Sequence, residues 1–180
     1  MFDKDKRIFY LTGDIEDSNT SDLCFSLLCL LEEDDRKDKK EKDYKRETIK
    51  LYIQSYGGSI RDMWTLIDIM INSKTPIHTY CTGYAMSAAF KIFLAGHKRF
   101  ITKHSILLYH QLSAWTGGKY QSIVEEMEML TSDQEEIEEY VVSRTKLTKK
   151  RLEEIRLNKE DYYIHADEAI ELGIADEIIG

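Results

Sequence analysis

Residues 79–90 read TYCTGYAMSAAF, and the fold turns on how this stretch is divided. A β-type run over 77–81 gives way near Gly83, and the small residues after it are expected to open a helix with Ser87 in its first turn. A hydroxyl placed there lies close to unsatisfied backbone N–H groups and the positive end of a helix dipole. An alkoxide or oxyanion is stabilised in such a place. The same hydroxyl also suits a plain N-cap of a tightly packed helix. Partners elsewhere in the chain must decide between the two.

Upstream, Pro76 forbids continuation of an amphipathic helix that carries Ile60, Met63, Trp64, Ile67 and Ile71 at helical spacing. That helix follows a strand over 48–54 (TIKLYIQ) and the pair Gly57-Gly58. Downstream, Gly96 ends the Ser87 helix, and strands are expected over 99–101 and 105–109. Strand and helix alternating at this spacing define an α/β layered domain with mainly parallel crossovers. The flanks add a strand at 6–11 (KRIFYL) and a buried helix at 23–31 behind the cap residues 18–22. A long helix over 120–144, a capped helix at 148–157, a strand at 162–164, a helix at 166–172 and a strand at 174–179 follow.

The 180 residues suffice for one domain with a substantial core. A net charge of −8, from 25 basic and 33 acidic residues, argues against a nucleic-acid or anionic-membrane surface. No apolar run approaches the ~20 residues of a membrane helix, and the start MFDKDKRIFYLTG lacks a secretion signal. Cys24, Cys29 and Cys81 have no metal-type spacing and read as reduced core thiols of a cytoplasmic protein. Residues 32–47 are all charged except Tyr44, with eight acids and seven bases. Such a stretch is expected to bury almost nothing and to form a helix extension plus a mobile, solvated loop. The long helix carries Ile123, Met127, Leu130, Ile137 and Val141 along one side and glutamates on its back. It either projects to pack on another chain or lies on its own sheet.

Three further features bear on chemistry. Gly57-Gly58, between strand and helix, permits a sharp turn with exposed N–H groups, for a phosphate, an oxyanion or the turn alone. His110 stands at a strand's end at the mouth of the layer, the place of a general base. Asp161, at the start of a late strand, could orient a histidine, although a lone aspartate is more often a cap or a surface charge. No His-x3-His or His-Glu-x2-His spacing exists, so no metal is expected, and no Gly-x4-Gly-Lys-Ser/Thr loop binds a nucleotide.

The segments 51–60 (LYIQSYGGSI), 82–90 (TGYAMSAAF) and 106–111 (ILLYHQ), in this order, resemble the proteolytic subunit of the Clp protease family. The likeness extends to 7–17 (RIFYLTGDIED) and 160–178 (EDYYIHADEAIELGIADEI), and fails mainly across 32–47. The resemblance implies a crotonase-like α/β fold, a spiral of β-β-α units over residues 1–180 with a projecting handle helix at 120–144. It implies a serine endopeptidase with Ser87 as nucleophile, His110 as base and Asp161 as third member. Gly58 and Ala88 fall on the oxyanion-hole positions. No cofactor is implied, and the substrates are peptides or unfolded proteins. The subunits would stack as two heptameric rings around a chamber, served by an unfolding AAA+ ATPase.

The sequence departs from the family in three places. Tyr56 stands where proline is usual, Leu112 stands where proline follows His-Gln, and no N-terminal helix or axial hairpin precedes the first strand. The last departure counts against the ATPase partner and raises a processing peptidase of phage type as an alternative. A catalytically silent ring subunit and a crotonase-like acyl-CoA enzyme complete the alternatives.

Overall fold

A computed structural model describes residues 2–3 and 5–180. Among the described residues the strands are β1 (Phe2–Asp3), β2 (Ile8–Thr12), β3 (Ile49–Ser55), β4 (Ile77–Met86), β5 (Lys98–Thr102), β6 (Ile106–Tyr109), β7 (Tyr162–His165) and β8 (Glu177–Ile179). The helices are α1 (Asp17–Lys40), α2 (Ile60–Ile71), α3 (Ala88–Leu94), α4 (Tyr120–Arg144), α5 (Lys149–Leu157) and α6 (Ala166–Glu171). Strands β2, β3, β4, β5 and β8 run parallel in that order, and β1 caps the edge antiparallel to β2. The mixed α/β architecture with a parallel sheet is the one expected.

Alternation explains the sheet. Ile49, Leu51 and Ile53 of β3 and Ile77 and Cys81 of β4 are fully buried in the common core with Leu27, Leu66 and Phe90. On the other face Tyr52, Tyr80 and Phe100 stack at 4.8 and 4.7 Å across three adjacent strands.

β4 does more than the expected run over 77–81. It continues through Gly83 to Met86, so Ala85 and Met86 are strand, and α3 begins only at Ala88. The reason is a fork. Residues 78–81 pair with β5, whereas 84–86 pair with β6. Buried Ser105, between those two partners, fills the crotch: its Oγ accepts from Gly83 N at 2.8 Å and donates to the Cys81 carbonyl at 3.0 Å. The positive φ of Gly83, 104°, lets the strand pass this point.

Two expectations need correction at α1 and among the thiols. Asp34, inside the charged stretch, is 0% exposed. Arg7 donates to both its oxygens at 3.1 and 2.5 Å, Tyr44 donates at 2.6 Å and Thr75 at 2.7 Å. Arg46 joins by donating to Thr75 Oγ1 and pairing with Asp35 and Asp38. The stretch is therefore anchored by a buried carboxylate. Cys24 and Cys81 are core thiols, but Cys29 is only half-buried. Helix α4 lies on its own domain through one half only. Its C-terminal half buries Ile137, Glu138 and Val141, while its N-terminal half leaves Tyr120, Met127 and Met129 exposed.

Candidate functional site

Strand register brings the three expected site residues together. β6 runs parallel to β4 with Leu108 beside Met86, and the Ser87 N–H continues that ladder to the Leu108 carbonyl at 3.0 Å. β7 runs antiparallel to β6 with Tyr162 opposite Tyr109. Extending that register by one residue sets Asp161 opposite His110, and the carboxylate acts on the imidazole. Ser87, His110 and Asp161 thus stand just past the ends of three adjacent strands. Among the described residues no hydrogen bond links any two of the three side chains. Ser87 and His110 are half-buried, and Asp161 is exposed.

Ser87 is not in the first turn of α3 but at its N-cap, with φ 54° and ψ −120°. A non-glycine residue in such a conformation is strained by roughly 1–3 kcal/mol, and strain of this kind collects at functional sites. Its side chain caps no N–H, so the plain N-cap reading does not apply. The Gly57-Gly58 turn packs on this joint. A Cβ on Gly57 would lie 2.7 Å from Ser87 Cβ, 2.8 Å from the Met86 carbonyl oxygen and 3.0 Å from Ala88 N. Ile15 fastens the turn from the other side, donating to the Gly57 carbonyl at 2.8 Å and accepting from Ser59 N at 2.7 Å. These bonds spend the backbone groups on either side of Gly58. The N–H groups of Gly58 and Ala88 themselves donate to nothing among the described residues.

The imidazole of His110 is held below the usual histidine range, first by burial and then by the nearby Lys91 ammonium. The Asp161 carboxylate and the backbone of Gln111 act in the opposite direction. A histidine so placed is neutral at neutral pH and can accept a proton. The thiol of Cys81 is pushed up to about 12 by burial, which removes it as a nucleophile. Among the described residues no group of three His, Cys, Asp or Glu is arranged to hold a metal ion.

The two local departures have structural consequences. Leu112 N donates to Gln134 Oε1 at 2.8 Å, a bond proline could not make, and ties the loop after His110 to α4. The exposed ring of Tyr56 stacks on Tyr84 at 4.3 Å beside the glycine turn. A cleft of about 550 Å³ opens between the loop that follows His110 and helices α4 and α5, lined by Gln111, Leu112, Met127, Leu130, Gln134 and Leu157. The residue that sequence reasoning passed over is Lys91, four residues after Ser87 in the otherwise apolar run AAFKIFL. A single charge inside such a run was its available signal.

Comparison with known proteins identifies the family. The pattern of the Clp protease family, described as Clp protease, matches residues 2–180. The chain is 28% identical over 178 residues to the ATP-dependent Clp protease proteolytic subunit 1 of Rhodopirellula baltica, across 97% of this chain and 73% of that protein. No helix among the described residues is long and apolar enough to cross a membrane. With a match that spans nearly every residue, the chain belongs to the Clp protease family, a family of peptidases.

Proposed function

We propose that the chain is a serine endopeptidase of the Clp proteolytic-subunit type, with Ser87, His110 and Asp161 as its triad. The observation that supports this reading is the register of β4, β6 and β7, which ends with Ser87 bonded to Leu108 and, extended by one residue, would face His110 with Asp161. His110 takes the proton of Ser87 as its Oγ attacks a peptide carbonyl. The N–H groups of Gly58 and Ala88 receive the oxyanion, and the imidazolium then protonates the leaving amine. Water hydrolyses the acyl-enzyme by the same route. Asp161 turns towards His110 to hold the imidazolium, and the cleft at Leu112 takes a substrate side chain. The bare N-terminal half of α4 packs against further copies of the chain, forming stacked rings whose chamber admits unfolded or short peptides. An AAA+ unfoldase would serve such a chamber, by analogy with the family.

One observation favours a second reading. The three side chains are close yet unlinked, as a catalytically silent ring subunit would have them. Labelling with a fluorophosphonate probe, beside Ser87→Ala and with the assembly sized by light scattering, separates the two. Labelling in a ring-sized species that Ser87→Ala abolishes is the expected result. An assembled ring that takes no label would sink the peptidase reading in favour of the silent subunit.

A further inference from the structure

His110 lies between two fixed points. On one side Tyr109 ends β6, fully buried, paired with Tyr162 of β7 and packed edge-on against Phe90 of α3 at 6.1 Å. On the other side Leu112 N donates to Gln134 Oε1 of α4 at 2.8 Å. The connection does not stop there. Gln134 Nε2 donates to Glu138 Oε1, one turn along α4, at 2.9 Å, and the same oxygen accepts from Arg156 Nε of α5 at 2.9 Å. Gln134 and Glu138 are 9% and 3% exposed. A buried chain of hydrogen bonds thus runs from the loop after His110, across α4, to α5. Helix α5 in turn fixes the approach to Asp161: Glu160 N donates to the Ile155 carbonyl at 2.9 Å, and the Glu160 carboxylate accepts from Arg151 at 2.8 Å.

Holding α4 to the domain does not need this chain of bonds, because Ile137 and Val141 are buried from the same helix. A buried amide and carboxylate cost stability unless their bonds are made, and leucine at 134 would carry no such cost. What leucine cannot do is accept from a backbone N–H and donate to a carboxylate at once, as glutamine does. The two partners leave the amide one orientation, since Leu112 N–H only donates and Glu138, paired with Arg156, only accepts. We propose that Gln134 is a positioning residue for His110, setting where the loop presents the imidazole to Ser87, while Glu138 and Arg156 tie the same frame to the segment that carries Asp161. This rests on the peptidase reading above. The side chains of His110 and Asp161 share no hydrogen bond among the described residues, so their separation is kept by what holds each segment. Proton transfer from Ser87 depends on that placement, because a base displaced by about 1 Å loses much of its effect.

The test is Gln134→Met, which keeps a side chain of similar length and loses both bonds, beside Gln134→Glu, which keeps an acceptor for Leu112 N and can share one proton with Glu138. Three readings are taken on the assembled protein: amide exchange at Leu112, the ring C–H signals of His110 by NMR, and the rate of Ser87 labelling by a fluorophosphonate. That labelling needs the base but no substrate side chain in the cleft, which Gln134 also lines. In Gln134→Met the Leu112 amide should exchange faster, the His110 signals should shift, and labelling should slow about tenfold. Gln134→Glu should recover most of all three. A Gln134→Met protein in which Leu112 exchanges faster while the His110 signals and the labelling rate match wild type overturns the inference, because the loop is then freed without moving the base. So does a Leu112 amide that exchanges as an unprotected one in wild type, which needs no variant to fold. Equal losses in Gln134→Met and Gln134→Glu would reduce Gln134 to packing and overturn it as well. Failure of the peptidase reading looks different: wild type would take no label, while the His110 signals would still respond to Gln134→Met.

Discussion

Two buried charges lie at opposite ends of the same parallel strands and are treated in opposite ways. At the starting ends of β2, β3 and β4, Asp34 receives four hydrogen bonds from Arg7, Tyr44 and Thr75. At the finishing ends the Lys91 ammonium, in the helix that follows Ser87, donates no hydrogen bond among the described residues. Full pairing makes a buried carboxylate a clasp between α1, the strand starts and the charged segment. The Lys91 ammonium has the face of the Tyr109 ring, 5.0 Å away, in place of a carboxylate, and its charge lowers the basicity of His110. The comparison predicts that one end of the sheet is sensitive in stability and the other in chemistry.

The largest effect belongs to the clasp. Asp34→Ala leaves Arg7 buried with no counter-charge, and should cost about 3–5 kcal/mol in denaturant unfolding. Burial pushes the Asp34 carboxyl up, but the hydrogen bonds from Arg7, Thr75 and Tyr44 outweigh it and hold the group below the usual range. A carboxyl depressed in the folded state stabilises fully above its unfolded value, and the contribution disappears as pH falls through the folded value. The variant should therefore lose less stability on acidification than wild type does. A cost below about 1 kcal/mol would mean that the clasp behaves like a surface pair.

Next in size is Gly57→Ala, at the other end. The new Cβ meets Ser87 Cβ, the Met86 carbonyl oxygen and Ala88 N, and the φ of 109° is itself unfavourable for alanine. Backbone cannot yield there without moving the joint, so Ser87 labelling should fall about a hundredfold, or nearly 3 kcal/mol. Unfolding should change by less than it does for Asp34→Ala. Wild-type labelling in Gly57→Ala would show that the glycine turn does not govern the site.

Much of this was legible in the chain. Helical spacing located α2 and α4, and strand, helix and glycine placement indicated the parallel layers. Three details were not, each for a physical reason. Local pattern ended β4 at Cys81 because nothing local reports a fork, which depends on Ser105, far along the chain in the turn between β5 and β6. Ser87 was expected inside a helix, because its strained backbone is imposed by the Leu108 ladder and the Gly57 contact rather than by propensity. Asp34 was hidden by composition, although it continues the buried spacing Leu23, Leu27, Leu30 of α1. In that case the periodicity was a better guide than the charge. The site residues themselves could be nominated from type and placement. Their proximity could not, since it depends on the register of β4, β6 and β7.

The smallest effect, and the one that contrasts the two charges most directly, is on the stability of Lys91→Met. For wild type the folded Lys91 loses its proton near 7, while in the unfolded chain it does so near 10.5. Between those values the unfolded state binds more protons, so wild-type stability should rise with pH across that window. Below it, the folded state carries the whole cost of a buried ammonium. Methionine fills similar space and does not titrate, so Lys91→Met should be more stable than wild type by on the order of 2 kcal/mol at pH 6. The gap should narrow steadily towards pH 10. Asp34→Ala moves the other way, losing stability and showing its pH dependence on the acid side. If instead the wild-type and Lys91→Met unfolding curves keep a constant separation from pH 6 to 10, Lys91 has found a charge partner. The contrast between the two ends of the sheet would then fail at the end that matters for chemistry.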